Sequence, residues 1–261
     1  MATCYRHPDR ETGVSCSNCG NPICPDCMTA TPVGMRCPDC AGQKQRVATM
    51  RTMYVQPTAT YILIAINVLI FLGAGGFNRA ISSPVEQDFL LAGVLVADGD
   101  YWRLITSGFL HSGPFHIMFN MYALYWLGTM LEPVLGHVRF VALYVASLLA
   151  GSFGVLLLTA PDRWTVGASG AVFGLMAAAF VLQRERGIDP MQSGLGVVIA
   201  LNLGITFLIP GISIGGHLGG LVGGAIAAFA MERMPTRSVG AGVAACAAVA
   251  VISAVGAIAV A

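Results

Sequence analysis

The 261-residue chain is 56% hydrophobic and only 10% charged, with a mean hydropathy of +0.72 and a formal net charge of +1. Such a composition excludes an ordinary soluble globular protein, and a near-neutral chain without a strongly basic face gives no reason to expect nucleic acid as a partner. Glycine, at 32 residues, is abundant in the way expected where helices must approach one another closely in lipid.

The first forty residues are polar and cysteine-rich, unlike a cleavable secretion signal, so the first apolar run is expected to act as its own insertion signal. Within them Cys4-x2-His7, Cys16-x2-Cys19, Cys24-x2-Cys27 and Cys37-x2-Cys40 form four pairs, each separated by two residues. Eight such ligands make two tetrahedral zinc sites, and zinc requires unoxidised thiolates, whereas disulfides would require an oxidising compartment. The closeness of the second and third pairs suggests an interleaved arrangement, with Cys4, His7, Cys24 and Cys27 on one ion and Cys16, Cys19, Cys37 and Cys40 on the other; a sequential assignment remains open. Large apolar residues are scarce here, so metal has to supply most of the folding energy. The segment resembles a B-box or related double-zinc module. Four-ligand sites leave no open position for water, which makes both ions structural and leaves none for catalysis. Arg6, Arg10 and Arg36 are set against Asp9, Glu11, Asp26 and Asp39 in this segment, so a cytoplasmic protein is the expected partner rather than nucleic acid.

Residues 1–43 are therefore read as the zinc-binding module and 44–57 as a basic linker carrying Lys44, Arg46 and Arg51 and closed by Pro57. Seven apolar runs follow, near 58–77, 115–131, 140–160, 168–182, 193–209, 212–231 and 239–261. Cys246, alone in the last run, reads as a small apolar filler. With the amino terminus inside, inner segments hold Lys44, Arg46, Arg51, Arg139, Arg184, Arg186, Arg233 and Arg237, and outer ones only Arg79, Arg103 and Arg163. This agrees with the positive-inside rule and keeps the thiols in the reducing cytoplasm. The expected location is a cell membrane crossed several times, with the amino terminus cytoplasmic and the carboxyl terminus outside. The long connection 78–114, which includes Phe89, Leu90, Leu91, Trp102 and Phe109, is too apolar for a solvated loop and is expected to be structured at the interface.

Polar groups inside these runs are costly and mark a cavity. His116 and Asn120, four apart, share one helix face, and His217 stands between glycine pairs early in the sixth run. The run from Ala168 to Leu182 has fifteen residues, about 22 Å at the helical rise against a hydrocarbon core of about 30 Å, so its helix should begin inside the membrane at Ser169. A helix start at that depth leaves backbone N–H donors that only protein or water can satisfy, and such donors also suit a developing oxyanion. The second, fourth and sixth runs share one direction, which brings Asn120, Ser169 and His217 to a similar depth. A serine hydroxyl is scarcely ionised at neutral pH and needs a base; with no Asp or Glu in the fourth to sixth runs, a Ser169–His217 dyad is expected, with Phe173 stacking on the imidazole.

Together, Trp102-Arg103, His111-x4-His116-x3-Asn120, Glu132-x3-Gly136, Gly167-x-Ser169-Gly170 and Gly216-His217-x2-Gly219-x3-Gly223 make the chain resemble a rhomboid intramembrane serine protease, over roughly residues 58 to 233. The resemblance implies an all-α membrane fold, a six-helix core at 58–233 followed by an additional helix at 234–261. It implies Ser169 as nucleophile, His217 as general base and later acid, and an oxyanion hole of His116, Asn120 and the Ser169 N–H. It also implies loop-structuring roles for Trp102 and Arg103, a supporting role for His111, and a bracing role for Glu132 at the inner end of the second helix. Phe173 stands where a tyrosine is common. The implied substrates are single-span membrane proteins cut in or beside their transmembrane segment. Two rival readings are a catalytically silent client-binding relative, opposed by the presence of both Ser169 and His217, and a small transporter, opposed by the lack of an inverted repeat.

Overall fold

The computed structural model describes residues 2–42, 55–76, 84–234 and 238–261. Two compact units are present, Met1–Met53 and Tyr54–Ala261. The basic residues Lys44, Arg46 and Arg51 of the expected linker, and Arg79 and Arg237, lie outside the described residues.

The first unit holds two small antiparallel hairpins, β1 (Ala2–Thr3) with β2 (Glu11–Thr12) and β3 (Thr29–Thr31) with β4 (Gly34–Arg36), and a short helix α1 (Pro38–Ala41). Its interior consists of cysteines around one apolar side chain, Ile23, which is fully buried. An interior that small cannot offset the entropy of ordering some forty residues, which is the physical reason to look for metal. Exposed pairs at Arg6–Asp39 (2.6 Å) and Arg10–Asp26 close its surface, and engage two of its arginines with its own carboxylates.

Among its described residues, the second unit is mainly helical. Its helices are α2 (Thr58–Gly73), α3 (Pro84–Phe89), α4 (Gly93–Ala97), α5 (Arg103–Thr106), α6 (Pro114–Leu135), α7 (His137–Leu158), α8 (Ser169–Glu185), α9 (Leu195–Leu208), α10 (Ile214–Glu232) and α11 (Val239–Val260). Of these, α7, α10 and α11 are long and apolar enough to cross a bilayer, and α2 and α9 are shorter apolar helices. Each of the seven expected runs holds one helix; the first ends earlier than expected, at Gly73, the second four residues later, at Leu135, and the fourth three residues later, at Glu185. The chain is a multi-pass membrane protein.

Local chemistry sets the helix ends. Proline at the first position opens α6, where its missing N–H costs nothing. The Ser213 hydroxyl caps α10 by accepting from the Gly216 N–H at 3.1 Å, and Ser238 caps α11 through Ala241 in the same way. Pro57 cannot cap α2 with a side chain, and that task falls to Glu132 of α6. Its buried carboxylate accepts from the N–H of Ala59 (2.7 Å), the N–H of Thr60 (2.8 Å) and the Thr60 hydroxyl (2.6 Å), and meets His137 Nδ1 at 2.5 Å. Negative charge at a helix N-terminus is favourable, and here it is fully satisfied as well as buried. Glu132 thus joins the ends of two helices rather than serving its own.

The centre of the unit is a knot of α7, α8 and α10 with almost no side chains at its contacts. A Cβ on Gly220 would overlap the Gly170 carbonyl, one on Gly224 would overlap the Gly174 backbone, and one on Gly219 would stand 2.9 Å from the Gly154 Cα. Lipid supplies no hydrophobic force between helices, so this close backbone approach and its dispersion energy hold them together. Around the knot, Phe140, Leu143, Tyr144 and Leu175 fill the core completely. The described part of the expected interfacial loop, residues 84–114, is structured: Leu91 pairs with Thr165 as a β-bridge, and the buried Arg103 donates to the carbonyls of Gln87 (2.8 Å) and Leu90 (3.0 Å) while pairing with Asp100 (2.8 Å). Trp102, half exposed, donates its ring N–H to the Asp88 carbonyl at 3.3 Å. The Ser152 hydroxyl, donating to the Leu104 carbonyl at 2.7 Å, anchors the loop to α7.

Candidate active site

Ser169 is the first residue of α8, so its N–H is one of the donors that the helix leaves unpaired. The preceding Gly167 has φ +131°, and a Cβ there would stand 2.7 Å from Cε1 and 2.8 Å from Nε2 of His116. Only glycine can both adopt that backbone and leave room for the imidazole. The same point is 3.8 Å from Ser169 Oγ, so His116 and Ser169 look onto one small volume.

The tautomer of His116 follows from its other nitrogen. Nδ1 faces the Ser112 backbone N–H at 3.3 Å and the Ser112 hydroxyl at 3.0 Å; a backbone N–H can only donate, so Nδ1 accepts and Nε2 carries the proton. His116 therefore presents a donor on the side nearest Gly167 and Ser169. Asn120, buried one turn along α6, donates one N–H to the His116 carbonyl at 2.9 Å, which leaves its second N–H for another acceptor. His111 is buried and edge-on to His116, with ring centroids 5.1 Å apart. Neither of its nitrogens has a protein partner among the described residues.

His217 lies early in α10, almost fully buried, and stacks on Phe173 with centroids 4.0 Å apart and planes 18° from parallel. Phe173 is one turn beyond Ser169 on the same helix, so the imidazole occupies the face of α8 from which Ser169 projects. The backbones agree: a Cβ on Gly170, next to Ser169, would stand 3.2 Å from the carbonyl oxygen of Gly216, next to His217. Ser169 and His217 are not hydrogen-bonded to each other among the described residues, and such pairs commonly tighten only when substrate is bound. His217 Nδ1 instead meets the Thr206 hydroxyl of α9 at 2.7 Å. Thr206 carries little sequence signal beyond a hydroxyl in a mostly apolar run.

Ser169 lines a cavity of about 20 Å³ together with Ser107, Ser152, Thr165 and Ser213. That is room for about one water among polar groups. Trp102, Arg103 and Glu132 do not join this cluster; they stabilise the loop and the α2–α6 junction.

In the first unit the ligand atoms of Cys4, His7, Cys24 and Cys27 all lie within 4.8 Å of one another, and so do those of Cys16, Cys19, Cys37 and Cys40. These are the interleaved sets. His7 Nδ1 is 3.8, 3.3 and 3.4 Å from the sulfurs of Cys4, Cys24 and Cys27, and the Cys19 and Cys37 sulfurs are 3.8 Å apart. Tetrahedral zinc with sulfur at about 2.3 Å and nitrogen at about 2.0 Å has ligand–ligand edges of about 3.5–3.8 Å, so the residues present fit the ion. Backbone donors help: the N–H groups of Cys19 and Cys37 hold the Cys16 thiol down at about 6, whereas burial and the neighbouring Cys4 and Cys24 push Cys27 up to about 11. Several thiolates crowded together need a cation between them.

Comparison with known proteins places these geometries in a family context. The rhomboid domain model matches residues 98–234. The chain is 32% identical over 185 residues to the rhomboid protease GluP of Bacillus subtilis, covering 67% of this chain and 35% of that protein. It is 36% identical over 137 residues to YdcA, a rhomboid relative from the same bacterium, covering 51% of this chain and 69% of YdcA. With the mitochondrial RHOMBOID-like protein 6 of Arabidopsis thaliana it shares 32% identity over 230 residues, 74% of each chain. The chain thus spans only about a third of the length of GluP.

Proposed function

Because the chain belongs to the rhomboid family, we propose that it is an intramembrane serine endopeptidase that cuts single-span membrane proteins in or beside their transmembrane segment. The observation that carries this reading is the contact of Gly170 with Gly216, which brings the helix that begins at Ser169 against the turn of α10 that holds His217.

In the proposed reaction Ser169 Oγ attacks the scissile carbonyl carbon while His217 Nε2 takes the hydroxyl proton. The negative oxygen is received by the Ser169 N–H at the start of α8, by His116 Nε2–H and by the second N–H of Asn120, donors that are aimed before the charge forms. Collapse of this intermediate breaks the C–N bond, and His217 passes its proton to the leaving amine. Water then enters and its oxygen attacks the acyl carbon while His217 takes one of its protons; the carbon–Oγ bond breaks, His217 returns that proton to Ser169 Oγ, and the carboxylic product leaves. The client enters sideways and locally unwinds, since a helical peptide bond is shielded from attack. His111 supports His116 through its edge contact, and Phe173 holds the plane of the base. An inactive client-binding relative would not need a serine and a histidine so placed, and a transporter would not need the Gly167 clearance.

The amino-terminal unit, residues 1–43, acts in this reading as a cytoplasmic docking module, with 58–233 the catalytic core and 234–261 an additional helix. Zinc held by Cys4, His7, Cys24 and Cys27, and by Cys16, Cys19, Cys37 and Cys40, supplies cross-links in place of a core. Its ligands are all protein atoms, so its contribution is structural, and the module binds a cytoplasmic protein that biases client choice. The carboxyl terminus then lies outside the cell membrane.

A fluorophosphonate probe applied to the purified full-length chain should label Ser169. Labelling that persists in Ser169→Ala would refute the assignment. Deleting residues 1–43 should leave cleavage of a model substrate intact while changing the set of clients cut in cells; loss of cleavage would refute the docking role.

A further inference from the structure

The base needs its proton on one particular nitrogen. For His217 to accept from Ser169 through Nε2, its neutral ring must carry hydrogen on Nδ1, and which nitrogen is protonated is decided by what the other one meets. In soluble serine hydrolases a carboxylate commonly fills that place. Here α8, α9 and α10 offer no carboxylate near Nδ1, and the atom found there is the Thr206 hydroxyl at 2.7 Å.

A hydroxyl can donate or accept, so the direction of this bond must come from its other partner. Thr206 Oγ1 lies 2.7 Å from the Asn202 carbonyl, one turn back on α9, and a carbonyl can only accept. The single hydroxyl proton is therefore committed to Asn202, and Oγ1 faces Nδ1 as an acceptor. Nδ1 must supply the hydrogen. The chain runs from His217 Nδ1–H to Thr206 Oγ1 and from Thr206 O–H to the Asn202 carbonyl, each bond polarising the next.

The setting of Thr206 agrees with this. Helix α9 exposes Val197, Leu201, Ile205, Phe207 and Leu208, and its buried residues are Leu195, Gly196 and Thr206. Asn202 spends its amide on the Val198 carbonyl of its own helix, so among the described residues Thr206 is the α9 side chain that hydrogen-bonds another helix. A valine there would occupy the same volume in an apolar stripe; what threonine adds is the hydroxyl.

We propose that Thr206 is a positioning residue for His217, fixing the imidazole in the Nδ1–H form so that Nε2 is free to act as base. This rests on the assignment of Ser169 and His217 made above. Phe173 sets the plane of the ring, and Thr206 sets its rotation within the plane and its protonation.

The test uses the full-length chain in detergent, a fluorophosphonate probe and two variants. Thr206→Val should lower kinact by roughly ten- to a hundredfold while KI stays within about twofold, because only the proton-transfer step is impaired. Thr206→Ser, which keeps the hydroxyl, should restore most of kinact. In 15N-histidine spectra, with the His217 signals identified by their loss in His217→Ala, wild type and Thr206→Ser should show a protonated Nδ1 and an unprotonated Nε2. Thr206→Val should lose that pattern. Unchanged kinact in Thr206→Val, an equal loss in Thr206→Ser, or a wild-type His217 protonated on Nε2 would each overturn the proposal. If the wild type is not labelled at all, the hydrolase assignment fails, and the spectra still decide whether Thr206 sets the tautomer.

Discussion

The two units cohere by opposite means. Residues 2–42 are held by side chains that converge, six buried cysteines and one isoleucine with His7 beside them, and almost no other interior. The knot of α7, α8 and α10 is held by side chains that are missing, with bare glycine backbones in contact at Gly154, Gly170, Gly174, Gly215, Gly219, Gly220 and Gly224. In water, a segment too small for a core can be cross-linked by a metal; in lipid, where apolar surface gains nothing from mutual burial, close approach and satisfied polar groups have to suffice. A perturbation that destroys one unit should therefore hardly touch the other.

The largest expected effect is chemical: Ser169→Ala should reduce cleavage of a single-span model substrate by about three orders of magnitude or more with unchanged thermal unfolding. Next, Gly220→Val drives a branched side chain into the Gly170 carbonyl and should destabilise the core by about 1–3 kcal/mol or more in a detergent melt. Gly240→Val, where nothing lies within 4 Å of the added Cβ, should be nearly silent. A strong chelator should expose residues 2–42 to protease while cleavage by the membrane unit stays within about twofold, since a domain with its own core can fold alone. Metal binding displaces thiol protons, so zinc should also be released as pH falls, never as it rises through neutrality. Loss of core activity on chelation would break the contrast between the units. Glu132→Gln keeps the volume but weakens the cap on α2, and should cost about 1–3 kcal/mol in the same melt, no more than Gly220→Val.

What could be read from the sequence follows the range of each signal. Helical runs and the His116–Asn120 face depend on spacing within a few residues, and both appear as expected. A fourth run too short to span the bilayer implies a helix start at Ser169, and α8 begins there. Phe173 was expected over His217 from spacing on α8 alone, and it stacks there. The closeness of the second and third ligand pairs suggests interleaved ligand sets but leaves a sequential assignment open, and the folded chain clusters the ligand atoms in the interleaved sets. Contacts between distant segments were less accessible. Glu132 reaches Thr60, 72 residues away, and nothing in a local pattern tells a carboxylate which helix end it will cap. Thr206 is similar: threonine in an apolar run is ordinary filler until the rotation of α9 is known. His111 was expected to support the site, and its two unpartnered nitrogens could not have been foreseen from a loop-end position.

One consequence of the glycine knot concerns how this chain can vary. Where two helices are separated by side chains, their spacing can be tuned in small steps, a methyl group at a time. Between α8 and α10 the stops are peptide atoms themselves, which no substitution can shrink and which any enlargement moves by a whole carbon radius. The gap between Ser169 and His217 therefore behaves as a machined clearance rather than an adjustable one. Under the proposed function, variation in client preference is then written on the lipid-facing surfaces and in the loops, leaving the gauge at the centre alone.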